Sequence, residues 1–504
     1  MPSPIPALYA AVDLGSNSFH LQIARVDEDH LFPVDSLKET VRLGGGIGPD
    51  RMLERKTADR ALEALKLFAE RLRGMPPAAV RVVGTNALRV ARNAQEFLRE
   101  AESVLGFPIE IISGREEARL IYLGVAHSMP VSNRNRLVVD VGGGSTEFII
   151  GHRMRPKIAE SLYLGCVTFT QQYFPDGGAD KKTFKNAELA ARREIEAITA
   201  RFDKVGWKEA VGSSGTAKAL GGILQENAQS DGAITLDGLE WLKAQAIKAG
   251  GFAALELPGM RADRLAVLPG GLSIMIAVFE EFGIKRMSVA DSALRQGVLF
   301  DLMGRSHHDD TRSAAIDQMA KRYHVDAVQA ERVEMLAVRF LRQLDGSAVP
   351  ADGDPGAADY RPLRLIRWAA RLHEIGISIA QRAFHKHTAY IVANADLPGF
   401  SKQEQTELSR LLLGQRGKLA KVAADLKGDP ELCTLTFCLR LAVLFFRSRR
   451  ALDVRQFRAE RSGEGFKIVV KAGWIDEHSL TEFGLAAEAA EWESQGIRCA
   501  VAQE

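Results

Sequence analysis

The sequence predicts an α/β fold built twice, followed by a helical region and a small α+β segment at the C-terminal end. Three observations carry this. Strand-like and helix-like stretches alternate as far as Arg305. A short run, Asp13-Leu-Gly-Ser-Asn-Ser18, returns as Asp140-Val-Gly-Gly-Gly-Ser145, each time after an apolar strand and before more β-type sequence. After Arg305 the texture turns helical.

In chain order, residues 8–23 are apolar and β-rich around a turn at Gly15-Ser16-Asn17. Residues 52–73 have helical spacing, with Leu62, Leu65, Phe68 and Leu72 on one face. Residues 80–83 and 109–112 read as short buried strands, the second followed by a helix from about Arg115. Residues 137–141 form an apolar strand that runs into Gly142-Gly143-Gly144, and 148–150 return as the other arm of a hairpin-like turn. Ala210-Val211 leads into Gly212-Ser213-Ser214-Gly215-Thr216, which opens a helix at Ala217. A late strand at 287–290 and a helix at 292–303 complete this part. Helical patterns then cover 312–344, 362–377, 404–413 and 432–449, with a Gly/Ala/Pro/Asp loop at 346–360. A strand at 466–471 and a helix from about Glu477 to Trp492 close the chain.

Composition narrows the class. The 504 residues suggest three or four domains, and 46% hydrophobic with 26% charged residues is an ordinary globular balance. Four sparse cysteines, Cys166, Cys433, Cys438 and Cys499, form no Cys-x-x-Cys pair, which argues against a disulfide framework and a structural zinc site. The start, MPSPIPALYA, lacks the basic and apolar regions of a signal peptide. The longest apolar stretch, around 439–446, is interrupted by Arg440 and is too short to span a bilayer. The expectation is a soluble cytoplasmic protein. A net charge of +2 discriminates little, because a local basic channel suffices to bind a polyanion.

The chemistry-bearing candidates sit at the turns. A Gly-Ser-Asn turn lets backbone N–H groups approach an anion, and Asp13 points into the same space. A carboxylate beside phosphate needs a cation or proton between them, so this motif reads as a metal-bridged phosphate site or a plain hairpin turn. The second turn packs Gly142, Gly143, Gly144, Ser145, Thr146 and two carboxylates, Asp140 and Glu147, into one short run. It reads as a phosphate turn with Mg²⁺ ligands, or as a glycine-rich hairpin with solvated acids. Ser214 and Gly215 open a helix, as an anion site or a simple cap. Ser113-Gly-Arg-Glu116 fits a capping box, leaving Glu117 as a general base or merely as a complement to the helix dipole. Arg89 can fork onto phosphate oxygens. Asp291 and Arg295, four apart, read as a local pair.

In order, Asp13-Leu-Gly-Ser-Asn-Ser-Phe-His20, Gly84-Thr-Asn-Ala-Leu-Arg89, Ile112-Ser-Gly-Arg-Glu-Glu-Ala-Arg-Leu-Ile-Tyr122, Val139-Asp-Val-Gly-Gly-Gly-Ser-Thr-Glu147 and Gly212-Ser-Ser-Gly-Thr216 resemble the exopolyphosphatase / guanosine pentaphosphate phosphohydrolase family. The resemblance continues through His373-Glu-Ile-Gly376 and His385-Lys-His-Thr-Ala-Tyr390, so it covers nearly the whole chain and points to the long four-domain bacterial form. It implies two actin-like (ribonuclease H-like) domains at 1–124 and 125–305, an all-helical HD-like domain at 306–452 and a small α+β domain at 453–504. It implies that Glu117 is the catalytic base and that Asp140 and Glu147 serve Mg²⁺. Gly15, Ser16, Asn17, Arg89, the 143–146 run and neighbouring Gly142 fall at phosphate-contacting positions. The expected activity is hydrolysis of the terminal phosphate of inorganic polyphosphate by a cytoplasmic homodimer, at most peripheral to the membrane. Little covalent work falls to the protein in such a reaction, so positioning and charge stabilisation carry it.

HD-type domains hold a metal through His, His-Asp and Asp. Here the dipeptide is His373-Glu374, and Asp396 lacks a clear partner set, so no catalytic metal is expected there. His385 and His387 alternate like a surface strand or loop. Arg364, Arg367 and Arg371 recur on one helical face as a candidate polyanion path, and Arg447, Arg449, Arg450, Arg455, Arg458 and Arg461 cluster further on. Singly, each reads equally as a solvated or ion-paired residue. Aromatic interleaving that would support base stacking on nucleic acid is missing. Three other functions compete: hydrolysis of guanosine pentaphosphate (pppGpp) on the same site, an actin-fold kinase or ATPase using 212–216 with Gly221-Gly222, and a non-catalytic polyphosphate or alarmone sensor. The three-glycine turn leans towards polyphosphate, and Glu117, Asp140 and Glu147 speak against the sensor.

Overall fold

The structure, a computed structural model, describes residues 8–504 except 28–29, 131, 292, 307–310, 352–353, 355–356, 358–359 and 464. The MPSPIPA start, part of the 346–360 loop and Ser292 at the head of an expected helix therefore lie outside the described residues. The chain divides into two compact units, residues 5–309 and 310–504.

Unit 5–309 opens with β1 (Leu8–Leu14), whose apolar run is buried along most of its length, as a central strand covered on both faces requires. It pairs antiparallel with β2 (Phe19–Asp27), which pairs with β3 (His30–Glu39). Next come α1 (Arg55–Leu72), β4 (Val80–Gly84), α2 (Asn86–Val90), α3 (Ala94–Leu105), β5 (Ile109–Ile111) and α4 (Gly114–Ser128). The predicted stripe of α1 is buried as expected. Half of the expected capping box forms on α4. The Ser113 hydroxyl accepts from the Glu116 N–H at 3.2 Å, while the Glu116 carboxylate accepts from Arg119 at 2.8 Å.

The second half repeats the plan with β6 (Asn135–Val141), β7 (Thr146–His152), β8 (Arg155–Leu162), α5 (Cys166–Tyr173), α6 (Lys181–Val205), β9 (Glu209–Ser213), α7 (Ser214–Glu226), α8 (Leu236–Ala249), α9 (Ala262–Leu265), α10 (Leu268–Phe282), β10 (Ser288–Val289) and α11 (Leu294–Ser306). The sheets run β3-β2-β1-β4-β5 and β8-β7-β6-β9-β10, the same mixed order, which is the ribonuclease H-like sheet of actin-like domains. The repeat holds at the level of register: Asp13 lies opposite His20, and Asp140 lies opposite Glu147. The helices α6 and α10 were not predicted from the sequence. α10 is buried almost all round, and a helix without a polar face shows no 3.6-residue alternation to detect.

The halves share a core in which Tyr9, Ala11 and Ile121 of the first meet Val138, Ile149 and Val298 of the second. α11 crosses α4 at backbone contact: a Cβ on Gly297 would sit 1.8 Å from the Leu120 carbonyl oxygen, and one on Gly124 would sit 2.1 Å from that of Ala293. The buried Arg81 and the partly buried Arg119 both bond Asp301 of α11, at 2.7 and 2.5 Å. The 124/125 boundary read from the sequence thus falls inside a helix that belongs to both halves.

Unit 310–504 contains α12 (Thr311–Arg322), α13 (Ala327–Asp345), α14 (Arg361–Leu372), α15 (Phe384–Asn394), α16 (Lys402–Gly414), α17 (Ala423–Gly428), α18 (Pro430–Phe445), β11 (Phe457–Ser462), β12 (Gly465–Val470), α19 (Ala472–Asp476), α20 (Ser479–Glu493) and β13 (Cys499–Gln503). The helical patterns at 312–344 form as two helices, separated where His324 turns left-handed (φ 53°) and Asp326 caps α13. The helices and the three-stranded sheet share one core: Phe437 stacks on Phe466 at 4.0 Å and Phe445 on Phe457 at 3.9 Å.

One reading of this unit is corrected. His385 and His387 lie on α15, not on a strand or loop; three residues of alternation are too few to set a period. His385 is buried, as is His373, whose Nδ1 meets the Ala370 carbonyl at 2.6 Å; burial lowers the proton affinity of both rings. The arginine face of α14 is not a bare cationic track. Arg371 bonds Glu334 at 2.8 Å and Asp317 at 3.1 Å, Arg367 lies 3.6 Å from the same Glu334, and Arg364 sits over Trp368. In the later cluster, Arg449, Arg455, Arg458 and Arg461 are likewise paired with acids. Among the described residues no helix is long and apolar enough to cross a membrane.

Candidate active site

Both glycine turns open onto one cleft of about 150 Å³ in unit 5–309. The hairpin between β1 and β2 presents Asp13, Gly15, Ser16 and Asn17, and the hairpin between β6 and β7 presents Asp140 and the run from Gly142 to Ser145. Their matching positions follow from the repeat: each Asp is the last inward-facing residue of a central strand before the chain turns. Glu117 reaches the cleft from the first turn of α4, and Ser214 and Gly215 from the N-terminus of α7.

Ser214 has φ +87°, a left-handed backbone that a non-glycine residue adopts only under constraint, here directly at the site. Its hydroxyl accepts from the Thr216 N–H at 3.2 Å, so Ser214 caps the helix as well as lining the cleft. The Arg264 guanidinium packs closely against Gly215, where a Cβ would lie 2.0 Å from it, so a larger residue there would displace that guanidinium from the cleft.

The carboxylates crowd. Asp140 accepts from the Ser213 hydroxyl at 2.5 Å, and Glu147 from that of Ser161 at 2.8 Å. Glu147 is buried one rank behind the cleft lining, opposite Asp140 across the hairpin. Glu117 accepts from Arg89 at 2.7 Å. Burial, reinforced by Glu117 and Asp140 and opposed by Arg295, pushes Asp13 up to about 7 from its ordinary 3.8. Burial, opposed by the Ser213 hydrogen bond and reinforced by Glu117, raises Asp140 to about 6. Burial, reinforced by Glu117 and Asp140, holds Glu147 well above the usual carboxylate range. His20 moves the other way, to about 3, through burial and the positive Arg295, so its ring is neutral.

These features fit a cation. Asp13 Oδ1 is enclosed and finds no hydrogen-bond partner among the described residues, the state of an acceptor that awaits a metal or a proton. Among the described residues no three Asp, Glu, His or Cys side chains form a ready chelate. Mg²⁺ does not need one, since it is held by one or two carboxylates together with substrate phosphate and water. Asp13 and Asp140 present oxygens to the cleft itself, with Glu147 behind them.

Two of the expected phosphate contacts fall elsewhere. Thr146 is fully buried and donates to the Leu164 carbonyl at 2.5 Å; as the first residue of β7 it turns to the face opposite Ser145. Arg89 does not line the cleft but holds Glu117 and the Ile112 carbonyl, at 2.7 and 3.0 Å. Among the residues that join the lining without having been assigned from the sequence are His20, Asn86, Arg264 and Arg295. His20 and Asn86 stood inside the quoted motifs. Arg295 is not the local partner of Asp291. Asp291 precedes the helix and lies 3.4 Å from Lys218, while Arg295 acts on Asp13. For Arg264 no sequence signal is evident.

Residues 22–306 match the Ppx/GppA phosphatase family, and residues 311–489 match Ppx/GppA phosphatase, domain III. The chain is 39% identical over 494 residues to the guanosine-5'-triphosphate,3'-diphosphate pyrophosphatase of Aeromonas hydrophila subsp. hydrophila, with 97% of each chain covered. It is 38% identical, again over 97% of each chain, to the protein of that name from Aeromonas salmonicida. Among solved structures it resembles an exopolyphosphatase from Cytophaga hutchinsonii, with a TM-score of 0.54 and 24% identity over 59% of this chain and 98% of that one. At that identity the likeness speaks for the fold alone.

Proposed function

This chain belongs to the Ppx/GppA phosphatase family of hydrolases, and on that basis we propose that it removes the terminal phosphate from the 5′-triphosphate of pppGpp. The observation that carries the choice of substrate is the end-to-end match to two relatives named for that substrate. The motifs alone had put inorganic polyphosphate first. Polyphosphate stays as the second reading, because the turns lining the cleft address a terminal phosphoryl group that both substrates share.

A water in the cleft attacks the terminal phosphorus as the bond to the bridging oxygen breaks, and Glu117 takes its proton. Arg89 fixes the Glu117 carboxylate from one side, so that the other oxygen is left for the water. The backbone N–H groups of both turns oppose the charge on the transferred group and the leaving diphosphate. Arg264 and Arg295 add positive charge from the second half. Asp13 and Asp140, backed by Glu147, are the residues that would hold Mg²⁺. The ion would supply neutralising charge on phosphate oxygens.

Phosphate release by purified protein from pppGpp and from long-chain polyphosphate, with Mg²⁺ and after chelation, tests this. The expectation is Mg²⁺-dependent release with the higher kcat/KM on pppGpp. A preference for polyphosphate would overturn the substrate, and release from neither would overturn the activity.

A further inference from the structure

A second and larger cavity, about 460 Å³, lies beside the two turns. One wall is the segment Thr40–Gly46 with Thr57 and Arg60 of α1; the facing wall is Gln171 of α5. Both walls are tied to the phosphate turns through the backbone. The N–H groups of Arg42 and Gly44 donate to the Asn17 and Ser16 carbonyls, each at 2.8 Å. The N–H groups of Cys166 and Val167, at the start of α5, donate to the Gly142 and Gly143 carbonyls, each at 2.9 Å.

Its charge is unbalanced. Arg60 is anchored by neutral groups, the Val41 carbonyl at 2.7 Å and the Thr57 hydroxyl at 3.4 Å, and Arg42 sits exposed on a left-handed backbone (φ 53°). Among the described residues neither has a carboxylate partner. Arg55 and Arg71, on the same helix as Arg60, are both paired, with Asp59, Glu100 and Asp35. Two arginines without counter-charge in a cavity of ligand size are an arrangement for phosphate oxygens.

We propose that this cavity is a subsite for phosphates remote from the scissile bond, which in pppGpp are the 3′-diphosphate. The inference rests on the reading of the cleft given above, and it deepens that reading by naming what selects the substrate. A nucleotide with its triphosphate in the cleft presents a second anion away from the scissile bond, and Arg42 and Arg60 would take it.

The test uses equilibrium binding and needs no turnover. ppGpp and GDP differ only in the 3′-diphosphate. Their dissociation constants are measured by calorimetry on the full chain, for wild type, for Arg42→Gln/Arg60→Gln and for Gly45→Asp, which puts a carboxylate into the cavity without removing an arginine. The wild type should prefer ppGpp over GDP, and both variants should lose roughly ten-fold or more of that preference. Long polyphosphate against tripolyphosphate is the parallel arm. A loss confined to that arm keeps the subsite and assigns it to a phosphate chain. A preference that survives in both arms and both variants, or a wild type that shows none in either arm, overturns the subsite. Failure of the wild type to hydrolyse pppGpp, with the binding losses intact, would instead overturn the activity alone.

Discussion

Glu117 on α4 and Arg295 on α11 line the cleft from two helices that cross at backbone contact, so widening that crossing should disturb it. Gly297→Ala is the smallest such perturbation. Its Cβ would lie 1.8 Å from the Leu120 carbonyl oxygen, whereas real Cβ contacts essentially never fall below 3.0 Å, so the helices must separate by about 1.2 Å. A carbonyl oxygen in a helix cannot swing aside as a flexible side chain can. The Asp301 bonds to Arg81 and Arg119 resist the shift, so part of the cost is stored as strain. Overpacking of this kind costs about 1–3 kcal/mol. The movement carries Arg295 on α11 away from Asp13 and Glu117, and a misplacement of about 1 Å in a site of this type costs on the order of 10²-fold in turnover. Phosphate release at saturating pppGpp, with a urea melt, reads both effects. Gly222→Ala on α7 is the control, since a Cβ there meets nothing within 4 Å. It should leave turnover alone and stabilise by up to about 1 kcal/mol. If Gly297→Ala melts like the wild type and keeps its turnover, the crossing does not assemble the site.

Three further outcomes follow from the same geometry. Glu117→Gln should lower kcat by about 10²–10⁴-fold with little change in melting, and phosphate release that survives it would remove Glu117 as the base. Burial holds the folded-state proton affinities of Asp13 and Asp140 above their ordinary 3.8, at about 7 and about 6. Their contribution to stability is therefore complete below about pH 4 and is lost as pH climbs through 6 to 7. Melting in chelator between pH 4 and 8 should show this decline, and Asp13→Asn with Asp140→Asn should flatten it; a slope unchanged in the double variant would exclude these groups as its source. Glu488→Ala should cost about 3 kcal/mol in a denaturant titration. It strands the buried Arg440, which bonds Glu488 at 2.5 and 2.7 Å, although Arg440 keeps its bonds to the Gly414 and Gly417 carbonyls. A loss below about 1 kcal/mol would mean that the stranded guanidinium finds water.

Much of the architecture was legible because it is written in local terms. A glycine turn after an apolar strand is a backbone property of a few consecutive residues, so the motifs at Asp13 and Asp140 disclosed both hairpins and, by their likeness, the doubled sheet. The same locality placed Glu117 at the head of α4, where its neighbour Ser113 caps the helix. Local terms also misled. Thr146 shares a motif with Ser145 yet faces the opposite side of the strand, and the arginines of α14 share a face whose acids come from α12 and α13.

What the chain by itself disclosed is the pair of glycine turns, the candidate base Glu117 and the doubled α/β plan, because each is carried by residues adjacent in sequence. Only the tertiary structure decided which charges stand around the cleft and the cavity beside it. Arg264 and Arg295 come from segments distant from either turn, Arg89 is diverted to Glu117, and among the described residues Arg42 and Arg60 are left without acids. Electrostatic partners are set by distance in space, and sequence spacing reports that distance only within one helix or one hairpin.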